Sequence, residues 1–158
     1  MGRKRQTRRH IYLDHAAATP IDTSVYSVMR PYLSRHYANP SALYSSSVQV
    51  RADIERARER VARVLSSTPQ SILFTSGGTE SINTAIFGIA GQLAKKRKRH
   101  IITTAVEHRA VLTPIQVLEK QGWTVTYLPV DRWGGLQAQD VRKALRPQTV
   151  LVSIMYAN

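Results

Sequence analysis

The spacing of apolar positions changes along this chain, and each change marks an element. Ile72, Leu73 and Phe74 form a short unbroken apolar run that predicts a buried strand. Ser76-Gly77-Gly78 then reads as a tight turn. From Thr79 the period shifts, and Ile82, Ile86, Ile89, Ala90 and Leu93 fall on one face of a helix that Thr79 is placed to cap, with Glu80 near its positive end. The alternation then repeats. Ile101–Thr104 predicts a strand. Glu107-His108 opens a helix carrying Val111, Leu112, Ile115 and Leu118, with Pro114 inside it and Gly122 ending it. Val125–Leu128 predicts a third strand, Asp131–Gly135 a turn, Gln137–Leu145 a short helix and Val150–Met155 a fourth strand.

Upstream the pattern is less regular. Ile11-Tyr12-Leu13 predicts a short strand or an extended entry, followed by a close-packed turn through Asp14-His15-Ala16-Ala17-Ala18-Thr19-Pro20. Asp22 or Thr23 is placed to cap a helix bearing Val25, Met29, Tyr32 and Leu33, with a kink or early break at Pro31. Asn39-Pro40-Ser41 is a loop. A long helix is expected over residues 47–65, with Ile54, Ala57, Val61, Val64 and Leu65 as its buried stripe and Arg51, Glu55, Glu59 and Arg63 as its charged one. Glu59 and Arg63 stand in the favourable i,i+4 order. Thr68-Pro69-Gln70 turns into the apolar run at Ile72.

Short apolar strands alternating with helices predict an α/β domain of three layers, a largely parallel sheet with helices on both faces. Ligands of such sheets bind beyond the carboxyl ends of the strands. That rule places the Ser76–Thr79 turn, His108 and Tyr156-Ala157-Asn158 on one rim. A final apolar strand with no helix to cover it leads to the expectation that a longer protein continues it.

Composition narrows the chemistry. There are no cysteines, so this chain holds no disulfide, thiolate metal site or thiol nucleophile. The net charge is +13, concentrated in a basic tail over residues 1–10, expected to be disordered, and in the run Lys95–Arg99. Such charge serves nucleic-acid contact or merely solvates a tail and a helix end. No groove-reading motif accompanies it, and a nucleic-acid partner is not expected. No apolar run approaches the ~20 residues of a membrane helix. The five histidines lie too far apart for a metal-ligand pattern, and no metal is expected. His108, following an apolar strand at the rim, is the candidate for acid/base work or for packing on a ring. The alternative is a solvated histidine at a helix start. The Gly77-Gly78 turn is either a phosphate cradle at a helix N-terminus or simply a tight turn.

Several stretches, in order, resemble the cysteine desulfurases of NifS/IscS type, in the class V aminotransferase group of pyridoxal-phosphate enzymes. They are Tyr12–Pro20, Asn39-Pro40-Ser41, Phe74–Asn83, Glu107–Leu112 and Val152–Asn158. The resemblance runs over residues 11–158 and covers less than half of such an enzyme, making this the N-terminal portion of the large domain. It implies that Gly78 and Thr79 contact the phosphate of pyridoxal 5′-phosphate, and that His108 lies against the pyridine ring and serves proton transfer. It implies transfer of sulfur from L-cysteine, giving alanine, to an enzyme cysteine and on to acceptors for iron–sulfur clusters or tRNA thiolation. It further implies a cytoplasmic homodimer at full length. The family's Schiff-base lysine and mobile-loop cysteine come later than residue 158, so the chain is expected to be inactive alone. Two departures stand out, Tyr44 where the family has His and Ala18 where it has Thr. Selenocysteine lyases share the group, and a stand-alone basic nucleic-acid-binding module is the non-enzymatic alternative.

Overall fold

The computed structural model of the chain describes residues 11–93 and 98–157. The expected disorder of residues 1–10, most of the second basic run and Asn158 fall outside them. The chain divides into two compact units, Met1–Ile72 and Leu73–Asn158.

In the first unit Asp22 caps α1 (Thr23–Met29), its Oδ1 accepting the Ser24 N–H at 2.8 Å. At Pro31 the helix tightens into a 3-10 turn, Arg30–Leu33, which is the break the proline predicts. The Asn39-Pro40-Ser41 loop is closed by Asn39, whose Oδ1 accepts the Ser41 N–H at 2.9 Å. Arg51 pins it from the next helix, donating to the Pro40 and Ala42 carbonyls at 2.7 and 2.9 Å.

That helix, α2 (Ser45–Val64), buries a different stripe from the expected one. Ser47, Val50 and Ala62 are buried, whereas Val64 is 83% exposed and Leu65 is also exposed. The covered side follows Val50, Ile54, Arg58 and Ala62, a four-residue step. Arg58 is drawn to that side because its guanidinium donates to the Ile72 carbonyl while also pairing with Glu55. The ion pairs of α2 among the described residues are Arg58–Glu55 and Arg56–Asp53, both i,i+3, in place of the expected Glu59–Arg63.

The second unit is built on a three-stranded parallel sheet in the order β2-β1-β3. Its strands are β1 (His100–Thr104), β2 (Thr124–Leu128) and β3 (Thr149–Ser153). β1 is buried along its whole length, as a central strand should be. Ile101 lies level with Val125 and Leu151, and that row faces α3 (Gly78–Leu93) and α4 (Arg109–Lys120). Ile86 and Ala90 of α3 meet Val111, Ile115 and Leu118 of α4 there, with Trp123 closing the cluster. The apolar face predicted for α3 is the face that packs. α4 runs unbroken through Pro114, because Val111, Ile115 and Leu118 hold it in the core on both sides of the lost hydrogen bond. A short α5 (Ala138–Ala144) follows β2.

One predicted strand does not form. Ile72–Phe74 joins no ladder, and Leu73 is 70% exposed. Ile11–Leu13 also pairs with nothing, which leaves the extended entry of its two readings. Apolar content makes a segment fit for a strand, but only a partner edge makes it one. β3 also stops short of the predicted Met155: Ser153 is level with Thr103, β1 ends at Thr104, and the Met155 N–H beyond it goes to a side chain. Among the described residues no helix is long and apolar enough to cross a membrane.

Candidate functional site

The topology fixes which helix ends share an edge of the sheet. α4 leaves the carboxyl end of β1 and returns to the start of β2. α3 packs alongside α4 and feeds the start of β1. Both helices therefore run against the strands, and both N-termini lie toward the strands' carboxyl ends, where parallel sheets bind ligands.

The first helical bond of α3 runs from the Ser81 N–H to the Gly77 carbonyl at 3.1 Å. The amides of Gly78, Thr79 and Glu80 lie ahead of that bond and have no intrahelical acceptor. Thr79 stands within the first turn and is not the cap, because the helix starts at Gly78, two residues earlier than a Thr79 cap predicts. Its hydroxyl is therefore not spent on capping. Glu80 reaches back instead, its Oε2 accepting the Ser76 N–H at 2.6 Å. The bonds from Ser76 hold the Glu80 carboxyl below its ordinary pKa, so the turn carries a charge at the positive end of the helix. Thr75 and Ser81 hydroxyls lie 2.7 Å apart and brace the turn from below.

The glycines of this turn are not explained by the chain itself. Neither Gly77 nor Gly78 has a positive φ, and a Cβ built on either would meet nothing within 4 Å. At three other glycines the reason is visible: Gly122 and Gly134 have φ of 86° and 80°, and a Cβ on Gly135 would strike the Asp131 carboxylate at 2.7 Å. Gly88 and Gly91, inside α3, have the same open setting as Gly77 and Gly78, but only the latter pair stands at the helix start, beside amides without an intrahelical acceptor. At Gly77 and Gly78 the space is open and all of Ser76–Glu80 is exposed. Open space over unpaired amides suits a phosphate ester that must approach the backbone closely.

His108 is the N-cap of α4, and Glu107 precedes the helix instead of starting it. The Nδ1 of His108 accepts the Ala110 N–H at 3.0 Å. That bond leaves Nδ1 without a proton and puts the ring proton of the neutral imidazole on Nε2, the edge directed away from the cap. The ring is exposed, so it is open to a ligand. Glu107, by contrast, is buried. Its Oε1 accepts the Thr104 hydroxyl at 3.1 Å and the Met155 N–H at 2.7 Å, joining the His108 turn to the segment after β3. The sequence placed His108 and Tyr156 on one rim, and this bond connects the two stretches. It did not single out Glu107, since a carboxylate after a strand carries no periodicity signal. A cavity of about 350 Å³ lies beside this junction, lined by Thr104, Val106, Val130, Leu136, Ile154 and Tyr156, and none of Gly78, Thr79 or His108 borders it.

Comparison with known proteins gives one family. Residues 11–158 match the aminotransferase class-V family. The cysteine desulfurase IscS of Dictyoglomus turgidum is 50% identical over 151 residues, 96% of this chain and 38% of that protein. Human cysteine desulfurase is 43% identical over 95% of this chain and 33% of its own length. Among solved structures, a NifS-like protein superposes with a TM-score of 0.89 at 39% identity, covering 95% of this chain and 41% of that one. SspA in complex with cysteine superposes at 0.84 with 40% identity, over 90% of this chain and 41% of its own. The chain thus spans about two-fifths or less of the relatives it matches. The turn, the capping histidine and these matches together make it a member of the aminotransferase class-V family.

Proposed function

We propose that this chain supplies the phosphate cradle and one wall of a pyridoxal 5′-phosphate site in a cysteine desulfurase. The observation that carries the reading is the pair Gly77-Gly78, which nothing in the chain's own packing or backbone requires, set over the unpaired amides of a helix N-terminus. In this reading the Gly78 and Thr79 amides and the Thr79 hydroxyl hold the phosphate. His108 stands against the pyridine ring, its cap bond fixing the imidazole so that the Nε2 proton faces the reacting side. The cofactor, when bound, supplies an electron sink for chemistry on an amino-acid substrate. The relatives named as cysteine desulfurases, and the one solved with cysteine, support L-cysteine as that substrate. This chain contains no cysteine, so in this reading the sulfur-carrying thiol belongs to sequence outside it; the resemblance implies the same of the imine-forming lysine. The whole protein is then a cytoplasmic homodimer that hands sulfur to acceptor proteins for iron–sulfur clusters or tRNA.

The reading is tested with pyridoxine 5′-phosphate, which keeps the phosphate and ring but lacks the aldehyde that reacts with surface lysines. Titration into the ¹⁵N-labelled chain is expected to move the amide resonances of Gly77, Gly78 and Thr79, while pyridoxine without phosphate leaves them in place. Equal responses to the two compounds, or none at millimolar ligand, would remove the cradle.

A further inference from the structure

We infer that Glu107 is a positioning residue, a buried carboxylate clamp that fixes the capping histidine relative to the chain leaving β3. It rests on the reading of His108 as the residue at the cofactor ring.

His108 sits on a short connection between β1 and α4, exposed and with one anchor of its own, the bond from Ala110. Such a ring keeps its place only if the backbone beneath it is held. Glu107 is the adjacent residue, and it is 7% exposed where a glutamate is ordinarily in water. A buried carboxylate is retained when its acceptors are used. Here a single oxygen, Oε1, takes two donors of separate origin. The Thr104 hydroxyl comes from the last residue of the central strand, and the Met155 N–H comes from beyond the end of β3, 48 residues away. Thr104 is itself 2% exposed, so the anchor on β1 does not shift. The clamp therefore ties three things at one point: the end of β1, the turn bearing His108 and the segment entering Tyr156.

Both donors are neutral, so the clamp needs an acceptor and not a charge. Glutamine offers a carbonyl oxygen with two lone pairs in the same place. Glu107→Gln is therefore expected to keep the clamp and Glu107→Ala to lose it.

Amide hydrogen exchange of the chain, read by NMR without any ligand, decides the matter. In Glu107→Ala the Met155 and Ala110 amides should exchange about tenfold faster relative to core amides such as Ile102, because a bond to a carboxylate is lost at one and its geometry at the other. Glu107→Gln should stay within about threefold of the parent at both. Should Glu107→Ala fail to fold, Thr104→Val removes one anchor at constant shape, and Met155 should again exchange faster than the core. A uniform rise at all amides, a glutamine variant as loose as the alanine one, or an unmoved Ala110 overturns the inference. Because no ligand is present, a clamp that holds while pyridoxine 5′-phosphate fails to bind would sink the proposed function alone.

Discussion

His100 is 1% exposed and bridges all three strands, its Nδ1 2.7 Å from the Thr149 hydroxyl and its Nε2 2.9 Å from that of Thr126. The Thr149 oxygen also accepts the Arg146 N–H at 2.8 Å, so its own proton is free to go to Nδ1, and Nε2 carries the ring proton. Burial, and secondarily the charge of Arg146, push the His100 pKa down. A histidine with a folded pKa below its unfolded one binds fewer protons folded than unfolded. Stability is then fully present above the unfolded value, near pH 6.5, and falls as the pH drops from there toward the lowered folded value. Urea unfolding between pH 7.5 and 5 should show that loss, and His100→Gln should make it shallower. Equal slopes in both proteins would mean that His100 does not carry it.

At the scale of elements, two helices end by the same device with different residues. After α4, Gly122 takes φ 86°, donating to the Glu119 carbonyl at 3.0 Å while Trp123 donates to Leu118 at 3.1 Å. After α2, Ser66 takes φ 51°, donating to Arg63 at 3.2 Å while Ser67 donates to Ala62 at 2.8 Å. Both are Schellman ends, but only one has glycine at the left-handed position. Ser66→Gly should therefore raise stability by roughly 0.5 kcal/mol and Gly122→Ala should lower it by about 1 kcal/mol, measured by urea unfolding. A destabilised Ser66→Gly would show that the serine side chain outweighs its backbone strain.

The same elements show what the sequence made legible. The apolar face of α3, the strands beginning near residues 101, 125 and 150, a cap at Asp22 or Thr23 and the break at Pro31 were readable because each is a local rule. Ile72–Phe74 was misread because a strand is defined by a distant partner. The stripe of α2 was misread because Arg58 finds a carbonyl 14 residues away and turns the covered side toward itself. At the candidate site, the motifs point to Gly78, Thr79 and His108; Glu107 stands in the same motif, but its two bonds are not readable there, since only one of its donors is near in sequence.

Over the whole molecule, burial is uneven. Between residues 11 and 72 only Ser47, Val50 and Ala62 are buried, while β1 alone contributes five buried residues. Large apolar side chains such as Leu13, Leu43 and Leu73 are exposed, on a chain whose net charge is +13. Stability should follow burial, with amide protection concentrated in β1, α3 and α4 and little in residues 11–44. The chain alone is expected to bind a hydrophobic dye and to unfold in two steps, residues 11–44 first and the rest in one cooperative transition. A single transition of the whole chain without dye binding would contradict that.

If Gly78 serves a ligand and not the fold, Gly78→Ala separates the two roles. The variant should be as stable as the parent or gain up to about 1 kcal/mol, since a helix gains by exchanging glycine for alanine in open space. Its affinity for pyridoxine 5′-phosphate should fall at least about tenfold, because in the proposed cradle the methyl group would stand where the phosphate approaches. A variant that unfolds, or one that binds the phosphate ester as the parent does, would contradict that division of roles.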